Sequence, residues 1–218
     1  MKNQINMNKT GYKVLSFLLG IAFKLKYNPK VVGKENIPSE GPIIIASNHK
    51  HVYDQCLSII ATKRFVHYMA KKEYFEGKLA WFFRLVGCIP VDRGSDEDIS
   101  KDIAIDILKD GGAIGIFPEG TRNKTYDKLL LPLKYGTVSM AKKTNAWIVP
   151  CVVTGDYVFR SKNLMIRFGT PFQVGNKEYE EANEMLRIDL QDLIKESLNA
   201  TDRTMEEELM SRNQDSKK

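Results

Sequence analysis

"GPIIIASNHKHVYDQCLSII", residues 41–60, sets a turn, a strand, a polar loop and the start of a helix in succession. Gly41-Pro42 punctuates the chain, and the β-branched run Ile43–Ile45, carried on to Ser47, reads as a buried strand. Beyond the loop, Leu57, Ile59 and Ile60 supply the apolar side of a helix that starts near Tyr53. The loop between them holds two of the three histidines, His49 and His51, and an aspartate, Asp54. The fold and the chemistry therefore meet in one short stretch.

The same alternation continues outward. "RFVHYMA" (64–70) reads as a second strand, and residues 71–87 have helical length, with Phe75, Leu79, Phe82 and Val86 on one face and Gly87 as the stop. "CIPVD" is short and extended. "SDEDISKDIAIDILKDGG" is the clearest helix, with Ser95 and Asp96 as candidate caps, Ile99, Ile103 and Ile107 at every fourth residue, and Gly111-Gly112 to end it. Strand Ala113–Phe117, a polar loop, a helix near 135–143, strands 147–153 and 164–168, and an amphipathic helix over 177–199 follow. Strands alternating with helices predict a single α/β domain around a largely parallel sheet flanked by helices. The expected division is an N-terminal basic and apolar helix over 1–30, the catalytic domain over 31–200, and a polar tail over 201–218.

The 218 residues suit one well-buried domain. Cys56, Cys88 and Cys151 stand singly in apolar surroundings, which reads as free thiols in a reducing compartment rather than a disulfide framework or a zinc site. The net charge of +6 is uneven: seven lysines precede residue 35, and Glu35 is the only acid in the first 36 residues. Such a balance favours an anionic partner. Nucleic acid is the weaker choice, because no RNP-like, zinc-finger or helix-turn-helix signature occurs and the basic segment is interleaved with Leu and Phe. The apolar run Val14–Phe23 is half of the ~20 residues a spanning helix needs. Flanked by lysines, it suits either a membrane interface or packing on the core, and the expectation is attachment to the cytoplasmic face of a membrane without spanning it.

Ligands of open α/β sheets gather at the carboxyl ends of the strands. "NHKHVYD", "DRG" and "PEGTR" each follow a strand there, so a base, a carboxylate and two arginines are expected along one edge. Four residues separate His49 from Asp54. His49 can lie on the loop and Asp54 in the first helical turn, where its carboxylate accepts the imidazole N–H and frees the other ring nitrogen to take a proton. No Gly-x-Ser-x-Gly elbow supplies a protein nucleophile, so the hydroxyl to be activated belongs to a substrate. The plain alternative is an aspartate that caps the helix beside histidines lining a polar loop. A metal site would need ligands beyond His49 and His51, and His67 sits inside a strand with no cysteine pair. In "FPEGTR", Gly120 lets a ligand approach the backbone, Thr121 offers a hydroxyl, and Arg122 can grip phosphate bidentately. Glu119 could hold Arg122 or accept from a substrate hydroxyl. Arg93, beside Gly94, offers a second cation. An ordinary strand-exit turn with an exposed ion pair would also explain these residues.

Taken together, "NHKHVYD", "GCIPVDRG", "FPEGTR" and "IVPCVV" resemble, in order and spacing, the four blocks of the glycerolipid acyltransferase superfamily, in particular its bacterial 1-acyl-sn-glycerol-3-phosphate acyltransferase branch. The resemblance covers roughly residues 31–154. It implies transfer of a fatty acyl chain from acyl-CoA or acyl carrier protein to the free hydroxyl of lysophosphatidic acid, as a step of phospholipid biosynthesis. His49 would be the general base and Asp54 its orienting partner. Arg93, Glu119, Gly120, Thr121 and Arg122 would hold the acceptor's phosphate and glycerol. No metal and no bound cofactor are implied. His51 stands where many members carry a small hydroxyl residue, and it is expected to be peripheral, as is Lys50, read as solvated.

Three rivals accompany this reading. A sibling enzyme would use another lysophospholipid or glycerol phosphate as acceptor. An inert lipid- or phosphate-binding module would have lost His49 or Asp54, and both are present. A thioesterase would give two arginines beside the base no purpose.

Overall fold

The computed structural model describes residues 9–91 and 97–211. Seven strands form one sheet in the order β1-β7-β6-β2-β5-β3-β4. They are β1 (Lys30–Val32), β2 (Ile43–Ser47), β3 (Val66–Lys71), β4 (Ile89–Val91), β5 (Ala113–Ile116), β6 (Trp147–Thr154) and β7 (Met165–Phe168). Every pairing is parallel except β6 with β7. The central position of β2, between β5 and β6, explains its unbroken apolar sequence. Both of its faces are covered, so all five residues are buried.

The period of two along β2 sorts its side chains between two cores. Ile44 and Ala46 join Ile114, Ile148 and Val152 beneath α4 (Glu97–Lys109), α5 (Gly136–Thr144) and α6 (Tyr179–Asn199). Ile43 and Ile45 join Val149, Cys151 and Ile166 on the opposite side, under α1 (Lys9–Lys26) and α2 (Asp54–Ala61). The expected α/β domain with a mostly parallel sheet and flanking helices is what the chain forms.

Several local expectations need correction. The helix expected over 71–87 is a 3-10 turn at Lys72–Phe75 followed by α3 (Ala80–Leu85), with no buried residue in either. Gly77 lies between them, and Trp81 is 63% exposed, so the aromatic run is surface rather than core. The polar stretch from 201 is not simply a tail. It contains α7 (Met205–Ser211), whose Glu208 is buried. Ser95 and Asp96, the candidate caps of α4, lie outside the described residues.

Helix α1 packs one side on the core and leaves an apolar side exposed. Tyr12 and Phe23 are buried, Tyr12 stacking on Phe65 at 3.9 Å. Val14, Phe17, Leu18, Ile21 and Leu25 stay exposed, Phe17 by 68%. No helix among the described residues is long and apolar enough to cross a membrane.

Candidate active site

Strands β2, β5 and β6 are neighbours, so the loops leaving their carboxyl ends lie side by side. Asn48 fixes where the first loop departs. Its side chain donates to Val153 O (3.0 Å) and accepts from Val153 N–H (2.7 Å), continuing the β2–β6 pairing one residue past the strand. The main chain of the loop is then tied to the loop after β5, since Asn123 N–H donates to His49 O at 2.7 Å.

His49 projects from this loop with its side chain 19% exposed. Its ring stacks on Phe117, 3.9 Å between centroids and 11° between planes, and its Nδ1 lies 3.0 Å from Asp54 Oδ2. Asp54 opens α2, where the unpaired N–H groups of a first helical turn favour a carboxylate. The same Oδ2 accepts the N–H groups of Lys50 (2.8 Å) and His51 (2.7 Å), and Oδ1 accepts the Tyr157 hydroxyl at 2.9 Å. The Asp54 side chain is fully buried. Oδ2 already accepts two main-chain N–H groups, so the ring nitrogen facing it is the N–H tautomer, and Nδ1 of His49 donates to it. The lone pair of the imidazole therefore falls on Nε2.

Tyr157 was not signalled by any sequence pattern, standing 103 residues from Asp54 in an irregular loop after β6. Burial, reinforced by the Asp54 charge, raises its pKa well above the ordinary phenol value. It stays a neutral donor at any working pH.

His51 does not share the position of His49. It is buried, its Nδ1 accepts the Tyr53 N–H at 3.1 Å, and its ring stacks on Tyr157 at 4.1 Å. Lys50, expected in solvent, is also buried. Glu119, 3% exposed, accepts His49 N–H on Oε1 and Leu131 N–H on Oε2, both at 2.8 Å. In this arrangement it braces the His49 loop against the β5 loop, a role the sequence did not suggest.

Gly120 turns with φ 71°, and a Cβ there would stand 2.7 Å from the Lys134 side chain. Thr121 and Gly120 are exposed, and Arg122 is half-buried with no hydrogen bond or ion pair to the described residues. A guanidinium so placed can receive an anion. Arg93 lies outside the described residues. The strand before it, β4, is separated from β5 by β3. His67, the third histidine, is buried away from this edge, with burial lowering its pKa and Nδ1 donating to Gly87 O at 2.7 Å.

The arrangement offers an imidazole lone pair on a fixed ring, a carboxylate hydrogen-bonded to that ring, and on the adjoining loop a guanidinium without a partner among the described residues. The family model described as Acyltransferase matches residues 28–154, which contain all of these groups except the Tyr157 hydroxyl.

The chain belongs to the acyltransferase family.

The resemblance carried by the four blocks is thereby met, as is the expectation of an O-acyltransferase enzyme. The 1-acyl-sn-glycerol-3-phosphate acyltransferase of Bacillus subtilis is 31% identical over 181 residues, covering 80% of this chain and 89% of that protein. The Borreliella burgdorferi protein of the same name is 32% identical over 142 residues, covering 64% of this chain and 56% of its own. That of Saccharomyces cerevisiae is 28% identical over 201 residues, covering 85% and 64%. The crystal structure of the 1-acyl-sn-glycerophosphate acyltransferase PlsC from Thermotoga maritima shares the fold, with a TM-score of 0.69 at 23% identity over 84% of this chain and 78% of that one.

Proposed function

We propose that this acyltransferase moves a fatty acyl group from an acyl thioester, acyl-CoA or acyl carrier protein, to the free hydroxyl of 1-acyl-glycerol 3-phosphate, giving phosphatidic acid. The observation that carries the reading is the 3.0 Å contact between His49 Nδ1 and the buried Asp54, on a loop tied through Asn123 to the one that carries Arg122. The acceptor is the one named for the relatives.

In this reading Nε2 of His49 takes the proton of the acceptor hydroxyl as that oxygen attacks the thioester carbonyl. The new C–O bond gives a tetrahedral oxyanion, and Asp54 stabilises the imidazolium formed beside it. Collapse re-forms the carbonyl, breaks the C–S bond, and expels a thiolate that takes the proton back from His49 as the free thiol. No residue of the protein becomes acylated. Arg122 and Arg93 hold the acceptor's phosphate, with Gly120 and Thr121 allowing close approach to the backbone. Glu119 acts by fixing the His49 main chain. The chemistry requires neither a metal nor a bound cofactor.

Both substrates are amphiphiles, and the exposed apolar side of α1 between lysines suits burial in an anionic lipid surface. Trp81 and Leu79, also exposed, would add to that surface. We infer peripheral attachment to the cytoplasmic face of the cell membrane.

The test is product identification by mass spectrometry after incubation with palmitoyl-CoA or palmitoyl carrier protein and a panel of lysophosphatidic acid, glycerol 3-phosphate and lysophosphatidylethanolamine. Phosphatidic acid as the main product supports the reading. Free palmitate with no acylated acceptor would replace it by thioester hydrolysis.

A further inference from the structure

Lys50 stands between the two histidines of the loop, yet its ammonium is directed away from solvent. It donates to Gly155 O at 2.7 Å, pairs with Glu208 of α7, and lies 3.5 Å from Ser211 Oγ. The other oxygen of Glu208 accepts Gly155 N–H at 2.9 Å and lies 3.0 Å from Arg203 Nε. Arg203 in turn grips Asp156 through two contacts of 2.6 and 2.9 Å. Burial opposes the ionisation of Asp156, but hydrogen bonds from Arg203 and Asn163 outweigh it and hold the pKa below the ordinary value. Burial likewise works to lower Arg203, and Asp156 and Glu208 outweigh it. Two cations and two anions thus cancel in a buried cluster where any one alone would be costly.

This cluster reaches both oxygens of Asp54. On one side Lys50 donates its own N–H to Oδ2. On the other, Gly155, held through its N–H and its carbonyl, is two residues from Tyr157, whose hydroxyl donates to Oδ1. Gly155 has φ 84°, and a Cβ there would fall 2.2 Å from Asn163 O, so the exit from β6 is fixed as well. A helix 158 residues downstream of Lys50 is therefore connected to the carboxylate that orients His49.

We propose that the Lys50–Glu208 pair is a positioning unit, through which the C-terminal helix α7 sets the geometry of the His49–Asp54 dyad. The inference rests on the reading of His49 as the general base. Both side chains are buried and engaged with each other. An ion pair that only held the fold together would change the amount of folded protein, not the turnover or the pH dependence of each folded molecule.

The test uses the whole chain, with lysophosphatidic acid and whichever thioester supports turnover, and compares wild type with Glu208→Gln, Lys50→Met, the double variant Lys50→Met/Glu208→Met, and His49→Ala. The charged and titratable groups beside the pair are Arg203 and Asp156, and those beside His49 and Asp54 are Glu119, His51 and the Tyr157 phenol. Glu208→Gln leaves the cluster with one net positive charge, which disfavours the imidazolium, so the acid limb of kcat/KM moves to lower pH. Lys50→Met leaves one net negative charge, and the limb moves to higher pH. Each shift is expected to be roughly half a pH unit or more. The double variant is neutral, and its limb returns to the wild-type position. In all three, kcat falls about 10- to 100-fold, with KM for the acceptor within about twofold, as expected for a misplaced base. Unmoved limbs in both single variants would overturn the proposal. Should a lone buried charge prevent folding of the single variants, the double variant decides: wild-type kcat there overturns the proposal, and reduced kcat in a protein of native circular dichroism supports it. Turnover surviving in His49→Ala would take down the base reading itself, and the positioning role with it.

Discussion

Replacing Asp54 with Asn separates two jobs that the carboxylate performs at once. As a loop brace, it accepts the N–H groups of Lys50 and His51; as a charge, it faces the imidazole of His49 at 3.0 Å. The amide oxygen of Asn can take the place of Oδ2 and keep all three bonds, while its NH2 meets a Tyr157 hydroxyl that can turn to accept. Hydrogen bonds to an ionised acceptor contribute about 1.5–3 kcal/mol and those between neutral groups about 1 kcal/mol, so a stability loss of about 1–3 kcal/mol is expected. The chemical step loses more. A unit charge about 4 Å from the imidazolium centre stabilises it by about 4 kcal/mol at an effective dielectric near 20. At about 1.4 kcal/mol per decade, kcat should fall roughly 10³-fold. Continuous thiol detection with a saturating acceptor measures the rate, and urea unfolding followed by circular dichroism measures the stability. A variant that retains kcat within about threefold, while losing stability as expected, would reduce Asp54 to a helix-start brace and refute its role as the partner of the base.

Arg122→Ala should raise the acceptor KM by about 10-fold or more while leaving kcat largely unchanged, since a phosphate grip acts on ground state and transition state alike; a kcat effect alone would place Arg122 elsewhere in the mechanism. Phe17→Asp with Leu18→Asp, both on the exposed side of α1, should release the protein from anionic vesicles in a sedimentation assay without lowering its melting temperature; undiminished binding would point to another surface. Burial raises the thiols of Cys56, Cys88 and Cys151 to about 12. Thiolate reactivity at pH 8 should therefore be slow in native protein and appear only on unfolding, and rapid labelling of any of the three by maleimide would contradict their placement.

The parts of the fold legible in the sequence are those specified by local pattern. The run Ile43–Ser47, the alternation into Leu57, and the Gly111-Gly112 stop each report a strand or helix that buries apolar groups where it forms. Lys30–Val32 carries too few residues to show a period, and it becomes a strand only because β7, far along the chain, pairs with it. Residues 71–87 show a helical spacing, but Gly77 interrupts them and no core receives their aromatic side chains. Helix α7 is anchored by Glu208 and Arg203, and apolar periodicity is blind to an element docked through charge.

The site divides in the same way. The spacing of His49 and Asp54 across a strand-to-helix loop was legible because both lie in one turn of chain. Tyr157 and the Glu119 brace depend on sheet order, which brings the exits of β2, β5 and β6 together from positions 70 to 103 residues apart, and the Lys50 pair depends on α7, 158 residues downstream. Reading Lys50 as solvated followed the usual behaviour of lysine, and it failed because a compensating carboxylate arrives from the far end of the sequence.

The most direct measurement of the central claim is thiol release from palmitoyl-CoA or palmitoyl carrier protein, with and without lysophosphatidic acid, by wild type and His49→Ala side by side. The expected result is release that requires the acceptor in wild type and falls by at least about 10³-fold in a variant of unchanged fold. Release that continues in His49→Ala, or that ignores the acceptor in wild type, would contradict a histidine base activating the acceptor hydroxyl.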